Sequence, residues 1–269
     1  MSRVVVGALR SLARVRGSAR LVEAGHRAFG PRQPIVRIRG RGGTLELDVS
    51  QPMERAIFYG RYERNELAFL ERWLRPGDVF VDVGANIGLF TIAAASRVGA
   101  TGAVHAIEPS PNSVDRLRKH LVMNGIRNAT VHEAALLDAS GEASLSLGFE
   151  SGHASLLHQP SGADRLAIRT LAAPEFFHAL GVAPRLVKVD VEGSEPKLLP
   201  TLTRLFEQAP DCALLVELDP ALLAMAGTSR EAALADAHRA GLRSFDVGRR
   251  GSLRKTAAPC GANVVFRRG

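Results

Sequence analysis

The 269-residue sequence predicts an α/β fold built on a mostly parallel sheet with helices on both faces. Three observations carry that expectation. Short β-branched and apolar runs alternate along the chain with segments of helical apolar spacing. One run, residues 78–83, leads through Gly84-Ala85-Asn86-Ile87-Gly88 into the Ala-rich stretch 89–95, which reads as strand, tight loop, helix. Acids close three of the strands, at Asp82, Glu108 and Asp190, where open α/β sheets bind their ligands.

Taken in order, residues 3–29 set Val5, Leu9, Leu12, Ala19 and Val22 near helical spacing, with Arg3, Arg10, Arg14, Arg20 and Arg27 between them. No apolar run approaches the ~20 residues that span a bilayer. Arginines also interrupt the stretch where a secretory signal keeps an uncharged core. Two readings stay open: a basic amphipathic helix lying on an anionic membrane or partner, and a solvated extension. Residues 35–39 and 44–49 alternate apolar and polar around Gly40-Arg41-Gly42-Gly43, a hairpin pattern. Residues 65–74 suit an amphipathic helix stopped by Pro76-Gly77. After the central corner come a strand at 103–107, a helix at 113–124 and a strand at 129–133. The alternation at 143–147 and the extended run 166–171 suggest a short antiparallel insertion. A strand at 186–190, a helix at 195–207, a strand at 212–218 and a helix at 232–240 follow. Residues 242–247 and 263–266 close the sheet as a hairpin.

With 46% hydrophobic residues the chain can bury one sizeable core. Its two cysteines, Cys212 in an apolar run and Cys260 near the C-terminus, form no disulfide framework, which fits a reducing, cytoplasmic compartment. The net charge of +8 is uneven: residues 1–41 hold ten arginines against Glu23, and residues 243–269 hold seven Arg or Lys against Asp246. The middle is therefore acidic, which argues against a nucleic-acid groove through the active site. Nothing in the pattern fixes an oligomeric state.

Glu108 follows Gly84 by 24 residues, about the interval at which a second-strand acid meets a ribose. A carboxylate accepts from both ribose hydroxyls and repels a 2′-phosphate. Asn86 stands at the second glycine position of a dinucleotide fingerprint, where backbone must approach pyrophosphate, so a dinucleotide is disfavoured. Asp82 beside the turn suits a cationic amino group. S-adenosylmethionine combines that amine with a carboxylate for the helix N-terminus and a ribose for Glu108. An NAD-dependent oxidoreductase and a non-catalytic, membrane-associated nucleotide-binding module are the alternatives.

The run Pro76-Gly77-Asp78-Val79-Phe80-Val81-Asp82-Val83-Gly84-Ala85-Asn86-Ile87-Gly88, the pair Glu108-Pro109, and Lys188-Val189-Asp190-Val191-Glu192-Gly193-Ser194-Glu195 resemble the FkbM-type S-adenosylmethionine-dependent methyltransferases. The resemblance covers residues 55–220. It implies a class I methyltransferase (Rossmann-like) fold with seven strands, the last antiparallel, and O-methylation of a hydroxyl on a sugar, glycan or natural-product acceptor. Residues 53–269 would be the methyltransferase domain, and 1–52 a basic extension plus hairpin. Carried over by position, Asp82, Gly84, Ala85, Asn86, Gly88, Glu108 and Pro109 would line the cofactor, and Asp138 would face the adenine. Tyr62-Glu63 would close over the methionine end or remain a surface pair. Where relatives often have Leu-Asp-Asp, this chain has Leu171-Ala172-Ala173, so no substrate or metal role carries over there.

A hydroxyl nucleophile must lose a proton, and Asp190 and Glu192 are the first candidates for base or substrate orientation. For Glu192 the alternative is a helix-start role, in which Ser194 caps and Glu195 and Pro196 fill the first turn. His153, near His158 in the insertion, is a further candidate base. No cluster has zinc-ligand spacing, and no metal is expected, although Asp190 and Glu192 would be a minimal magnesium site. Lys188 sits in an apolar strand and needs a partner that the sequence does not name.

Overall fold

Period-two alternation in the central strands decides which side chains reach the site. The computed structural model describes residues 3–13, 15, 17–147, 154–155 and 165–269. Its first part holds helices α1 (Arg3–Leu12) and α2 (Ala19–Phe29), the hairpin β1 (Ile35–Arg39) and β2 (Thr44–Asp48), and helices α3 (Pro52–Phe58) and α4 (Arg64–Trp73). Next come β3 (Val79–Val83), α5 (Leu89–Val98), β4 (Ala103–Glu108), α6 (Pro111–Met123) and β5 (Ala129–Glu133). An insertion contributes β6 (Ala135–Leu137), β7 (Gly141–Leu147), β8 (Ala154–Ser155) and β9 (Arg165–Ala172). The chain continues with α7 (Ala173–Ala179), β10 (Leu186–Val189), α8 (Glu195–Gln208), β11 (Ala213–Glu217), α9 (Pro220–Met225) and α10 (Arg230–Arg239). It ends with β12 (Leu242–Val247), β13 (Leu253–Lys255) and β14 (Asn263–Arg268).

The main sheet runs β5-β4-β3-β10-β11-β14-β12-β13. β14 lies antiparallel between β11 and β12, as expected of the last strand. The strand count is eight rather than seven, because the three-residue β13 adds antiparallel to the outer edge of β12. In the insertion β7 pairs antiparallel with β9, as the alternation at 143–147 suggested, and β9 also takes β6 in parallel. The short helices α3, α7 and α9 escape the periodicity. Each has seven residues or fewer and carries proline in its first turn, so too few apolar repeats mark it.

Two apolar clusters flank the sheet. Phe80 and Leu186 point into the one that contains α4, α5 and α6; Val81, Val83, Val187 and Val189 point into the one that contains α7, α8 and α10. Asp82 and Lys188 therefore share the first face, and the parallel register sets them directly side by side.

Residues 3–29 form two helices rather than one. Gly17 turns the chain at φ 82°, and the Ser18 hydroxyl donates to the Leu12 and Val15 carbonyls at the break. Nor is the segment a solvated extension: Leu9, Ala13 and Val22 enter the first apolar cluster. Arg10 Nε donates to the Phe58 carbonyl at 3.1 Å, Arg55 pairs with Glu23 at 3.0 Å, and His26 meets the Tyr59 hydroxyl at 3.1 Å. Among the described residues no helix is long and apolar enough to cross a membrane.

Candidate functional site

The corner after β3 is held from two neighbouring strands. Gly84 and Ala85 donate their N–H groups to the Ile107 carbonyl at 2.9 and 3.0 Å. Glu108, at the end of β4, accepts from Asn86 N with one carboxylate oxygen and from Ser110 N with the other, both at 2.9 Å. Each oxygen keeps a lone pair for a second donor. Gly84 adopts φ 83°, and a Cβ there would collide with the Asp190 carbonyl oxygen. The close approach that requires this glycine is thus to the neighbouring strand end, which locks the corner to Asp190. Gly88, at φ 90°, lies behind the loop, where a Cβ would meet Leu117. It is not among the residues that line the cleft, a correction to its expected contact with a cofactor.

Above this corner opens a cleft of about 450 Å³, within the usual size of small-molecule sites. Asp82, Ala85, Asn86, Glu108 and Pro109 line it, as do Asp190 and Glu192. Tyr62 and Glu63 reach it from the start of α4, so they are cleft residues and not a surface pair. Asp82 Oδ2 accepts from the Thr91 hydroxyl at 2.6 Å, while its Oδ1 is buried with no partner among the described residues. Glu63 Oε1 accepts from Asn263 Nδ2 at 3.0 Å, and its Oε2 is likewise buried and unpartnered. Among the described residues, three of the four non-glycine residues with left-handed backbone, Glu63 (φ 40°), Asn86 (φ 47°) and Glu192 (φ 52°), are cleft residues. Backbone strain of ~1–3 kcal/mol per residue is thereby concentrated where function is expected.

Lys188 is buried at the floor, and Asp190 is its partner, with Nζ to Oδ2 at 2.7 Å. Its ammonium also lies 4.8 Å from the Phe90 ring centre. Glu217, from the end of β11, completes the acidic wall. Burial, then the adjacent Asp190, pushes its carboxyl up to about 10, so it stands neutral at pH 7. Burial pushes Glu63 and Glu108 up to about 7, and raises Asp82 as well.

The loop before α8 departs from the expected cap. Ser194 occupies the N-cap position without a side-chain bond, its hydroxyl buried and unpartnered among the described residues. Glu195 does the capping instead, accepting from Val191 N at 2.8 Å and Gly193 N at 3.3 Å. With the left-handed turn at Glu192 and Gly193, the backbone N–H groups converge on that carboxylate rather than on the serine. Asp190, Glu195 and Glu217 bring carboxylate oxygens within 4.8 Å of one another.

Asp138 does not face the cleft. It is exposed beyond β6, and Ala134, Ala135 and Leu136 hold the wall where it was expected, because the strand bends at Ala134. His153 and His158 lie outside the described residues. Glu217 is the main acid missed by sequence reasoning, although its place at a parallel strand end was signal enough. Met53 and Ile57 of α3 also line the cleft, and the unrecognised short helix concealed them.

The model of a family described as the methyltransferase FkbM domain matches residues 82–221, just over half of the chain. The 31-O-demethyl-FK506 methyltransferase FkbM of Streptomyces tacrolimicus is 33% identical over 123 residues, covering 45% of this chain and 46% of that protein. The hexuronic acid methyltransferase AglP of Haloferax volcanii is 28% identical over 144 residues, covering 53% and 57%. The chain thus spans about half the length of these curated relatives. Among solved structures, a methyltransferase FkbM from Methylobacillus flagellatus superposes with a TM-score of 0.43 at 16% identity, covering 80% of this chain and 54% of that one.

Proposed function

The chain belongs to the FkbM methyltransferase family, and from that premise we propose that it methylates a hydroxyl of a sugar, glycan or natural-product acceptor with S-adenosylmethionine as donor. One observation carries the reading. Two buried carboxylate oxygens without donors among the described residues, Asp82 Oδ1 and Glu63 Oε2, belong to residues of the same cleft as the glycine corner. Buried polar atoms are rarely left unpaired, and acceptor-only atoms in a net acidic pocket suit a cationic donor ligand.

In this reading Asp82 and Glu63 receive the ammonium of the donor, and Glu108 receives the ribose hydroxyls on its remaining lone pairs. The cleft walls of Leu89, Phe90 and Ile107 exclude water from the reacting groups. When bound, the donor supplies an already activated sulfonium methyl, so the protein's contribution is position and field. The hydroxyl proton passes to Glu192 or to Asp190, with which Lys188 pairs. The names of the two curated relatives, one acting on 31-O-demethyl-FK506 and one on a hexuronic acid, support an oxygen acceptor.

Calorimetry with S-adenosylmethionine and with NAD tests the cofactor, and mass spectrometry of hexuronic acids and of 31-O-demethyl-FK506 incubated with donor tests the transfer. Donor binding and a +14 Da product are expected, with Glu192→Gln slowing turnover by about 10²-fold at unchanged donor affinity. NAD binding without donor binding, or methylation on nitrogen or carbon, would refute the proposal.

A further inference from the structure

The N-terminal segment packs one face into the body and leaves another outward with an unusual composition. Among the described residues seven large hydrophobic side chains are well exposed, and four of them, Val15, Leu21, Phe29 and Ile35, fall in one short stretch. They are 49–62% exposed although Val22, in their midst, is 1% exposed. The segment's core-forming face is therefore already satisfied, and the outward residues are a second apolar surface. On α2 the exposed positions Leu21, Ala24 and Ala28 follow i, i+3, i+7 spacing, with exposed Arg20 and Arg27 beside them. On β1 the alternation turns Ile35, Arg37 and Arg39 outward while Val36 and Ile38 pack against the core. Both elements thus present apolar side chains interleaved with arginine.

We propose that the outward face of α2 and β1 rests on an anionic lipid bilayer. Charge and apolarity together select this occupant. Residues 1–41 hold ten arginines against the single acid Glu23, which is paired with Arg55. Arg37 pairs with Glu46 and Arg41 with Glu71, so among the described residues of the two elements the outward cations without an acidic partner are Arg20 and Arg27 of α2 and Arg39 of β1. The guanidinium groups fit lipid phosphates, and Leu21 and Phe29 fit the acyl boundary just beneath. A nucleic-acid surface would use the arginines but has no place for exposed leucine and phenylalanine on the same helix. Neither helix can span a bilayer, so the contact lies along the interface. The face is one helix away from the cleft: α3 meets α1 and α2 through Phe58 and Tyr59, and lines the cleft with Met53 and Ile57. This contact does not depend on methyl transfer.

The test is co-sedimentation of the full chain with vesicles of phosphatidylcholine alone or mixed with phosphatidylglycerol. Binding that requires phosphatidylglycerol and falls as salt rises is expected. The double substitutions Leu21→Glu/Phe29→Glu and Arg20→Glu/Arg27→Glu should each lower partitioning about tenfold or more. Val182→Glu, at an exposed apolar residue elsewhere, should leave it unchanged. Circular dichroism melting of each variant should match the parent, since all five positions are exposed. Equal binding to both vesicle types, parental binding by the double variants, or displacement of bound vesicles by duplex nucleic acid would overturn the proposal.

Discussion

Lys188 sets the charge of the cleft. Burial alone would drive its ammonium toward neutrality, yet Asp190, Glu63 and Asp82 outweigh that effect and raise its pKa. The lysine is then a fixed cation, and the acids around it tune the pocket with pH. Glu63 is the informative one, since burial lifts it to about 7 and its Oε2 has no donor among the described residues. A carboxyl raised in the fold favours folding at low pH: that contribution is complete below the unfolded value near 4.5 and is lost as pH rises through about 7. Binding of a cationic donor has the opposite sign, because it needs Glu63 ionised. Donor affinity measured by calorimetry should therefore rise by up to about tenfold per pH unit below 7 and level off above it. Glu63→Gln should flatten that profile at its low-pH level. Parallel profiles for parent and variant would remove Glu63 from donor recognition.

At the scale of elements, the loop from β10 to α8 shows what sequence can and cannot disclose. That acids stand at the ends of β3, β4 and β10 was legible, because strand period and the strand-end rule place them with no knowledge of the fold. Which of them meet was not. The contact between Gly84 and the Asp190 carbonyl joins residues more than a hundred positions apart, and the pairing of Lys188 with Asp190 depends on both sitting on one face of β10. Ser194 was the natural cap by residue type, but the left-handed backbone at Glu192 and Gly193 hands the task to Glu195, and backbone sign cannot be read from composition. Asp138 failed for a similar reason, since the chain bends at Ala134 before reaching it. The cap has a measurable consequence. Glu195→Ala removes the acceptor of two loop N–H groups, so stability should fall by about 1–2 kcal/mol in urea unfolding. Turnover should fall further than stability requires, because Glu192 is then no longer held at φ 52°. Retained turnover in a destabilised Glu195→Ala chain would show that the geometry of this loop is not used.

For the whole molecule, the uneven charge becomes an arrangement in space: an acidic centre holds the cleft, and the arginine-rich N-terminal helices pack beside α3. An acidic centre attracts a cationic donor. The two are mechanically joined, because α3 carries Phe58 and Tyr59 toward the helices and Met53 and Ile57 toward the cleft. A chain beginning at residue 31 would lose the burial of Leu9 and Val22, about 1.5–3 kcal/mol each, together with the Arg10 bond to the Phe58 carbonyl and the Glu23 pair to Arg55. Its melting temperature should drop by roughly 10 °C. Donor affinity should weaken as well, because α3 then has no support on its outer side. Val22→Asp in the full chain separates packing from length: it should reproduce the loss of melting temperature while leaving every arginine in place. If the shortened chain melts like the parent and binds donor equally well, the helices are passengers on the fold. If Val22→Asp reproduces both losses, the N-terminal helices are part of the wall that shapes the cleft.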